Sequence, residues 1–409
     1  MTCKRGHISD LNSYLNSDLD SDLNLPPVLP SISIVVPVYN GGNAFRKCLI
    51  ALSRWLPPAE RIHTEVIVVS DGESDGSWRV AEEFGSERFD SERFGTESFD
   101  ARSLNLKVIR LKESKGPARA RNIGANEATG EIVFFVDADV EILSDTIERV
   151  ARSFAEEPQL AALIGSYDDA PGAPNFLSQY KNLFHHYTHQ TACLDASTFW
   201  GACGAVRRTV FQDVGGFDEN YRKPCIEDIE LGYRLKQAGY TIHLRKDIQV
   251  KHLKRWTPVS LLRADIFYRA LPWMALLLQV RQHHPAQYER FTSDLNLKWN
   301  SRISVMLVYG LLVAVAFASW PFGWPAFGLL NRSGLILAIV CGIGLTFVNF
   351  PVYQFFRQKR GWLFALQTVP WHWLYFFYSG LAYVITLIRH QFRSGRTPST
   401  SGSGSIRLS

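Results

Sequence analysis

The stretch GEIVFFVDADVEIL, residues 130–143, places two carboxylates at the end of an apolar run. Residues 132–136 are β-branched or aromatic, which predicts a strand, and Asp137 and Asp139 follow it with one alanine between them. Because residues two apart in a strand point to the same side, both acids should face one point where the strand ends. The pair could be a turn, for which Asp is well suited, or a cation site, and this stretch alone leaves both open.

The composition suits a large folded protein. Its 409 residues predict two or three domains, and 46% apolar residues with 13% aromatic ones are ample for a buried core. The charge is nearly balanced, since 44 Lys and Arg face 39 Asp and Glu to give +5, which argues against a nucleic-acid partner. The six cysteines include no CxxC pair and indicate reduced thiols in a cytosol-facing protein.

Low-complexity segments mark the edges of the predicted domains. Residues 1–30 cycle through Ser, Asp, Leu and Asn and end in prolines, which predicts a disordered N-terminal segment without the apolar core of a signal peptide. Residues 86–100, SERFDSERFGTESFD, are three copies of a five-residue unit and predict a surface insert. Residues 391–409 predict a flexible tail.

Strand and helix patterns alternate between these segments. The order predicts an α/β fold whose mostly parallel sheet is covered by helices on both faces. In such sheets ligands bind at the carboxyl ends of strands, where Tyr39, Asp71 and Asp137 all lie, so we expect them to converge on one crevice. The predicted strands are residues 32–39, 65–71, 106–111 and 132–136, and the predicted helices are residues 44–55, 77–84 and 117–128.

Three apolar runs follow residue 300. Residues 303–319, 334–350 and 362–388 are free of Asp, Glu, Lys and Arg and about long enough to span a bilayer, so segment 301–390 is predicted to hold about three transmembrane helices. Basic residues in 357–360 and in 389–396 both favour the inner side of the membrane, which three spans cannot satisfy. A hairpin broken near Pro370, or an interfacial segment there, would resolve the conflict.

Six motifs occur in one order over residues 31–256. They are SIVVPVYNGG, VIVVSDGESDGS, KGPARARNIGANEATGEIVFFVDADV, VGGFDE, CIEDIELGYRLKQAGY and HLKRW. In this order and approximate spacing they resemble the family 2 glycosyltransferases with a GT-A fold. The resemblance implies transfer of a sugar from a nucleotide diphosphate sugar, expected to be a UDP-sugar, with a divalent metal and usually inversion at the anomeric carbon.

The later motifs resemble the membrane-bound synthase branch of that family, whose pattern is a D, a DxD, a TED and a QxxRW. The chain departs from the pattern at Ile226, where the family has Thr, and at His252, where the family has Gln. These departures count against polymer synthesis more than against sugar transfer itself.

The resemblance assigns the opening carboxylates to a metal and the donor. Asp139 would bind Mg²⁺ or Mn²⁺ directly, and Asp137 would contact the ribose or the metal. Hard cations of this kind take carboxylate and phosphate oxygens, and they stabilise the charge that grows on a diphosphate leaving group. Asp71 resembles the residue that hydrogen-bonds the nucleobase, with a turn residue as the alternative, and Tyr39 could stack on the base.

Cations and a second acid complete the predicted site. Lys115, Arg119 and Arg121 lead a predicted helix whose N-terminus suits an anion, and of the three we expect Arg119 to contact the donor. Asp228 resembles the general base that takes a proton from the acceptor hydroxyl, although Glu227 and Asp228 together could simply offset a helix dipole.

Arg255 and Trp256 would close over the diphosphate and the acceptor edge, because an Arg fork suits phosphate oxygens. The alternative is an Arg and Trp pair that anchors the membrane surface. The loop around Trp200 is predicted to lie under the donor sugar.

His185, His189 and Cys193 are spaced as three zinc ligands on one face of a helix would be. No fourth ligand is apparent, so we favour packing near the acceptor cleft over a structural metal.

Residues 257–300 mix apolar side chains with Arg263, Asp265 and Arg269 and predict an amphipathic segment in the membrane interface. A lipid, a lipid-linked glycan or a polysaccharide would then reach Asp228 from the bilayer, in an integral protein of the cell membrane whose catalytic domain is cytoplasmic. A nucleotidyltransferase is the weaker alternative, because PVYNGGNAF is a poor phosphate loop. An inactive scaffold would tolerate loss of the acids, all of which are present.

Overall fold

The computed structural model of the chain describes residues 28–86, 105–285, 288, 291, 299–319 and 325–394. The predicted disordered segment up to residue 27, the repetitive insert from residue 87 and the tail from residue 395 lie outside the described residues. The five cysteines within the described residues are in no disulfide, as predicted.

The first part of the chain alternates strands and helices as predicted. Its strands β1 and β4 are apolar runs that are buried along almost their whole length, as is typical of strands covered on both faces. The elements are β1 (Ile32–Val38), α1 (Gly42–Trp55), β2 (Thr64–Asp71), α2 (Ser77–Gly85), β3 (Leu106–Leu111), α3 (Pro117–Asn126) and β4 (Ile132–Val136).

The chain then adds four more strands to the same sheet. These elements are β5 (Val140–Ile142), α4 (Thr146–Glu156), β6 (Ala162–Tyr167), α5 (Phe176–Gln190), β7 (Cys203–Arg207), α6 (Arg208–Asp213), α7 (Glu227–Gln237) and β8 (Ile242–His252). The strand order is β3-β2-β1-β4-β7-β6-β8-β5. Strands β1 to β4 pair in parallel, whereas β7 runs antiparallel to both β4 and β6, and β5 runs antiparallel to β8.

The first four strands form the parallel sheet predicted from the sequence. Beyond β4 the sheet is mixed, because the chain returns beside that strand in the opposite direction through β7, whereas β6 and β8 pair in parallel. The sequence patterns identified no strand after residue 136.

Helices cover both faces of the sheet, as predicted. One core packs Phe45 of α1 and Phe154 of α4 against the sheet, and the other packs Phe211 of α6 and Leu231 of α7 against the opposite face. Phe135 of β4 belongs to the second core. Full burial of a side chain of this size contributes roughly 1.5–3 kcal/mol.

Two glycines allow close backbone approaches on either side of the loop before α3. Gly72 has φ +63°, and a Cβ there would lie 2.3 Å from the backbone nitrogen of Ser114. Gly116 has φ +100°, and a Cβ there would lie 2.5 Å from the carbonyl carbon of Arg222. Only glycine fits both conformations, so the loop before α3 is pressed against the end of β2.

A helical region follows β8. Helix α8 starts with a capping box between Thr257 and Ser260, and Pro272, which has no N–H to donate, follows the π-helical turn. The elements are α8 (Pro258–Arg263), the π-helical turn Ala264–Ala270, α9 (Leu271–His283), α10 (Trp299–Ala318), α11 (Pro325–Val348) and α12 (Phe350–Ser394).

Within the described residues, two helical segments are long and apolar enough to cross a membrane, Trp299–Ala318 and Asn331–Val348. The third predicted span, residues 362–388, is not one of them. It lies in α12, which is interrupted at Gly361 where φ is 83°. Helix α12 packs along the preceding part of the chain: the Lys359 ammonium lies 2.5 Å from Asp169, and the Tyr378 hydroxyl donates to Asp265 at 2.7 Å.

Candidate active site

A cavity of about 620 Å³ opens at the carboxyl end of β4. Its wall combines the turn after β4, the start of α7, one side of α5 and the segment from residue 252 to residue 273. Half of the predicted site residues line it, namely Asp137, Asp139, Asp228 and Trp256. The other half lie outside its wall, namely Tyr39, Asp71, Arg119 and Arg255. Of the three strand ends expected to converge, only that of β4 reaches this cavity.

Arg121 joins the two acidic segments of the wall. Its Nη2 lies 2.7 Å from Asp137 Oδ1 and its Nη1 lies 2.9 Å from Glu227 Oε1. Burial opposes the charged guanidinium, yet the two carboxylates raise the pKa of Arg121 above its usual value. A Cβ on Gly201 would lie 2.9 Å from the guanidinium carbon, so the glycine makes room for the clamp.

Sequence reasoning chose Arg119 from this helix, but Arg121 is the cation at the cavity. Arg119 is half-buried and forms no ion pair with any other described residue. A signal was available: Arg121 lies three residues after Ala118 and four before Ala125, and both alanines are buried. That spacing marks the face of α3 that packs on the sheet.

Asp139 keeps its carboxylate open. Its side chain is 29% exposed, and the nearest basic side chains are His252, with Nε2 at 3.8 Å, and Lys254, with Nζ at 3.9 Å, both beyond hydrogen-bond range. Burial lowers the pKa of His252 to about 3, and the nearby Lys254 charge acts the same way, so the ring is neutral at physiological pH. Its face stacks on Tyr167 at 4.3 Å.

These residues fit a divalent cation that shares its ligands with a substrate. Among the described residues, no group of three or more His, Cys, Asp and Glu side chains is arranged as a complete metal cage. Asp139, with Asp137 beside it, offers the one or two carboxylates by which Mg²⁺ is usually held when substrate phosphates supply further ligands.

Asp228 lies in the first turn of α7 and faces the cavity. Its Oδ2 accepts from the Gly201 amide at 3.2 Å and its Oδ1 accepts from the Ile229 amide at 2.8 Å. Burial and the adjacent Glu227 charge raise the pKa of Asp228 to about 7, against the opposing effect of Arg121. A carboxyl group that ionises near neutral pH is suited to general base catalysis.

Glu227, the alternative base, is otherwise engaged. Its side chain is buried, with Oε1 held by Arg121 and Oε2 accepting from the Cys225 amide at 2.8 Å. Asp228, which accepts only from backbone amides, is therefore the carboxylate of the two that no cation pairs with directly.

Asp71 is committed to the loop before α3. One oxygen accepts from the Lys115 amide at 3.0 Å, and the other accepts from the Gly116 amide at 2.9 Å and the Ser114 hydroxyl at 2.8 Å. Three of roughly four lone-pair positions are thus used. Contact between Asp71 and a nucleobase stays a prediction.

The remaining predicted donor contacts differ in exposure. Tyr39 is 57% exposed at the end of β1, and Arg255 is exposed beyond β8. Trp256 is only 4% exposed, and its indole Nε1 is buried with no hydrogen-bond partner among the described residues. Their contacts with a donor stay predictions.

The histidines of α5 pack in an aromatic wall of the cavity. The rings of His185 and His189 lie 4.1 Å apart, and Trp200 lies 4.8 Å from His185. Burial lowers the pKa of His189 to about 4, and Cys193 is exposed beyond the helix. This packing agrees with the interpretation preferred over a zinc site.

Two family models match the chain. The model described as Glycosyl transferase family 2 matches residues 33–215, and the model described as Glycosyl transferase family group 2 matches residues 132–394. The second match covers more than half of the 409 residues. The chain therefore belongs to the group 2 family of glycosyltransferases, and its α/β architecture agrees with the GT-A fold expected from the motifs.

Curated relatives are distant and longer than the matched part. The probable glycosyltransferase YdaM of Bacillus subtilis is 25% identical over 226 residues, which is 52% of this chain and 48% of YdaM. The pre-mycofactocin glycosyltransferase of Mycobacterium tuberculosis is 24% identical over 326 residues, which is 78% of this chain and 58% of that protein. The chain thus spans about half the length of these relatives.

A solved structure of the mannosyltransferase PcManGT from Pyrobaculum calidifontis, in complex with GDP-Man and Mn²⁺, aligns with a TM-score of 0.45. The sequence identity is 18%, and the alignment covers 87% of each chain.

Proposed function

We propose that this protein is a membrane-anchored, inverting glycosyltransferase. It moves a sugar from a nucleoside diphosphate sugar, with UDP as the expected nucleotide, to a hydroxyl group of a lipid or glycan acceptor. The observation that carries the proposal is that Asp228, whose pKa is raised to about 7, shares one cavity with Asp137 and Asp139. A base for the acceptor and carboxylates for a cation on the donor are the two requirements of this reaction.

Arg121 fixes the part of the cavity wall that is proposed to bind the sugar donor. By pairing with Asp137 and Glu227, it fixes the end of β4 relative to the start of α7. Asp139, with Asp137, would hold Mg²⁺ or Mn²⁺, which when bound stabilises the negative charge of the diphosphate leaving group. The turn after β4 thus positions the donor relative to Asp228.

The acceptor side depends on Asp228. Two backbone amides orient its carboxylate, which takes the hydroxyl proton while the acceptor oxygen forms a bond to the anomeric carbon. The bond from that carbon to the diphosphate oxygen breaks in the same step, and the electron pair leaves with the diphosphate. Attack from the face opposite the leaving group inverts the anomeric configuration.

The apolar surface of α10 and α11 supports the membrane anchor. Met306, Ile336, Ile343 and Phe347 are between 63% and 80% exposed, and soluble monomers rarely show so continuous an apolar surface. The two helices pack together as a hairpin, where the Asn349 amide donates to Ser304 Oγ at 2.9 Å.

Helix α12 would lie along the membrane surface rather than cross it. Lys359 near its start contacts Asp169, and His390 near its end contacts Gln282 at 3.1 Å, so both ends meet the preceding part of the chain. The basic residues of 357–360 and 389–393 then face the same side, which resolves the charge conflict of a three-span arrangement. The positive-inside rule puts that side, with the catalytic domain, in the cytoplasm.

Membranes containing the protein, incubated with radiolabelled nucleotide sugars, test this function. We expect labelled glycosyl product with at least one donor, formed more slowly by roughly a hundredfold or more in membranes containing the Asp228→Asn variant. Exchange of label into free nucleotide without glycosyl product would indicate a nucleotidyltransferase, and silence with every donor would indicate an inactive scaffold.

A further inference from the structure

Charge is divided between two parts of the cavity wall. The four acids of the wall come from the turn after β4 and the start of α7, namely Asp137, Asp139, Glu227 and Asp228. Beyond Arg121, the basic residues come from α5 and from the segment leading to the apolar helices, namely Lys181, Lys254, Arg263 and Arg269. A ligand that spans the cavity therefore meets cationic side chains as well as the carboxylates of the predicted metal site, and of these cations Lys254 lies beside Asp139.

Arg269 is tied to a buried carboxylate at one side of its guanidinium. Its Nη1 lies 3.1 Å from Asp265 Oδ1. The same carboxylate accepts from Lys181 Nζ at 2.7 and 2.8 Å and from the Tyr378 hydroxyl at 2.7 Å, so it is fully occupied. Asp265 is 5% exposed. Two cations thus share one buried carboxylate, which leaves one positive charge without compensation in this group.

The unused part of Arg269 faces the cavity. Its side chain is 47% exposed, and it contributes to the cavity wall. Burial opposes its charge, whereas Asp265 and, less strongly, Tyr167 and Asp228 raise the pKa of Arg269. Asp265 and Arg269 belong to one π-helical turn, and such turns often occur at functional sites.

A second, independent donor lines the same cavity. The buried Trp256 indole N–H has no hydrogen-bond partner among the described residues. An unpaired buried donor of this kind costs about 1–3 kcal/mol unless a ligand or water satisfies it. The Trp256 indole N–H therefore needs a hydrogen-bond acceptor on the ligand, and the Arg269 guanidinium needs one that carries negative charge.

We propose that Arg269 binds a phosphate group carried by the acceptor substrate, close to the hydroxyl that Asp228 deprotonates. The inference rests on the proposed function and adds the chemical class of its acceptor. The phosphates of the donor are drawn to the metal at Asp137 and Asp139, whereas Arg269 pairs with Asp265 and with neither of these two acids, so it serves a second anion. A guanidinium fork held by Asp265 on one side matches phosphate oxygens on the other.

Binding measured by calorimetry in neutral detergent tests the proposal. The probes are decyl phosphate, its neutral counterpart 1-decanol, inorganic phosphate and UDP. We expect Arg269→Gln to weaken decyl phosphate binding by roughly tenfold or more, since it removes a charge-assisted contact, and to leave UDP binding unchanged. Arg269→Lys, which keeps the charge, should retain part of the affinity. Arg281→Gln, an exposed change in α9 outside the cavity wall, is the matched control and should bind all four probes as the wild type does.

Each outcome decides a point. Decyl phosphate binding that survives in Arg269→Gln, or 1-decanol binding as tight as decyl phosphate binding, overturns the proposal. Arg269→Gln that weakens UDP binding instead makes Arg269 a donor contact and also overturns it. If inorganic phosphate binds as tightly as decyl phosphate, the phosphate alone is recognised; if only decyl phosphate binds, a lipid carries it. The sugar-transfer assay above is independent, so its failure would be distinguishable from failure here.

Discussion

Strands β2 and β4 both pair in parallel with β1, and each is followed or ended by aspartate, yet the two ends differ. Asp71 of β2 is buried and accepts three hydrogen bonds from the loop before α3. Asp137 and Asp139 after β4 are about one-third exposed on a cavity wall. The same sequence pattern therefore yields a satisfied carboxylate in one place and available carboxylates in the other, and the number of internal donors decides which.

The largest effect is expected at Asp228, the third carboxylate that faces the cavity. Asp228→Asn removes the proposed proton acceptor while keeping its shape, so turnover should fall roughly a hundred- to ten-thousandfold. Nucleotide-sugar binding, measured by calorimetry in detergent, should stay within a few fold because the donor is held elsewhere. In the wild type the rate should fall as pH drops below about 7, where this carboxyl becomes protonated.

Two controls sharpen that result. The acidic limb of the pH profile should vanish in the residual activity of Asp228→Asn, because nothing is left to titrate. If the variant instead loses donor binding while turnover at saturating donor stays normal, Asp228 is a donor ligand and the base lies elsewhere.

A loss of about a hundredfold or more in turnover is expected for Asp139→Asn. The change removes a charged ligand, and with it the stabilisation that a bound cation gives to the leaving group. The thermal unfolding temperature should hardly change, because the Asp139 carboxylate accepts no short hydrogen bond from the described residues. Full activity of this variant, or of the wild type in excess EDTA, would contradict the metal role.

The sequence predicted the first four strands and three helices to within a few residues, because continuous apolar runs between Gly, Pro and Asp are strong local signals. Antiparallel β7 was beyond reach, since its pairing with β4 joins Ile132 to Arg207 and no local pattern encodes such a contact. The engagement of Asp71 was hidden for the same reason: its partner Gly116 lies 45 residues away.

Side-chain direction limited the prediction of the site. Arg119 and Arg121 are two apart on a helix and therefore face different directions, so the choice depended on which face packs on the sheet. Arg255 and Trp256 are adjacent, and only the latter turns into the cavity. Arg269 carried no motif, because its position follows from a π-helical turn and from Asp265.

A loss of stability rather than of chemistry is expected at the end of β2. Asp71→Asn replaces one accepting oxygen with a donating amide opposite backbone N–H groups, which should cost about 1–3 kcal/mol. For a domain of this size that corresponds to a fall in unfolding temperature of roughly 2–4 °C per kcal/mol, measurable by tryptophan fluorescence. Asp139→Asn is the matched control at the other strand end. If the unfolding temperature is unchanged and nucleotide binding, measured well below that temperature, is weakened, the nucleobase role of Asp71 is favoured over the structural one.

The smallest effect is a gain in stability at Asp228, opposite in sign to that at Asp71. Its pKa is raised from an ordinary value of 3.8 to about 7, so the ionised form is disfavoured in the fold. The wild type is therefore most stable below about pH 4, where Asp228 is protonated in both the folded and the unfolded state. It loses stability as pH rises from about 4 to about 7. Asp228→Asn does not ionise and escapes that loss.

Because the carboxylate borders a solvent-accessible cavity, we expect the gain to be only on the order of 1 kcal/mol. The diagnostic is the difference in unfolding temperature between variant and wild type, measured from pH 4 to pH 8. It should shift in favour of the variant up to about pH 7 and level off above that, because ionisation is then complete. Replacing the charge also disturbs one backbone hydrogen bond, which adds a constant offset but no pH dependence. A difference that is flat across this range would mean that Asp228 titrates normally. Ionising a carboxylate of the cavity would then cost no folding stability, and the contrast with the hydrogen-bonded Asp71 would lose its energetic basis.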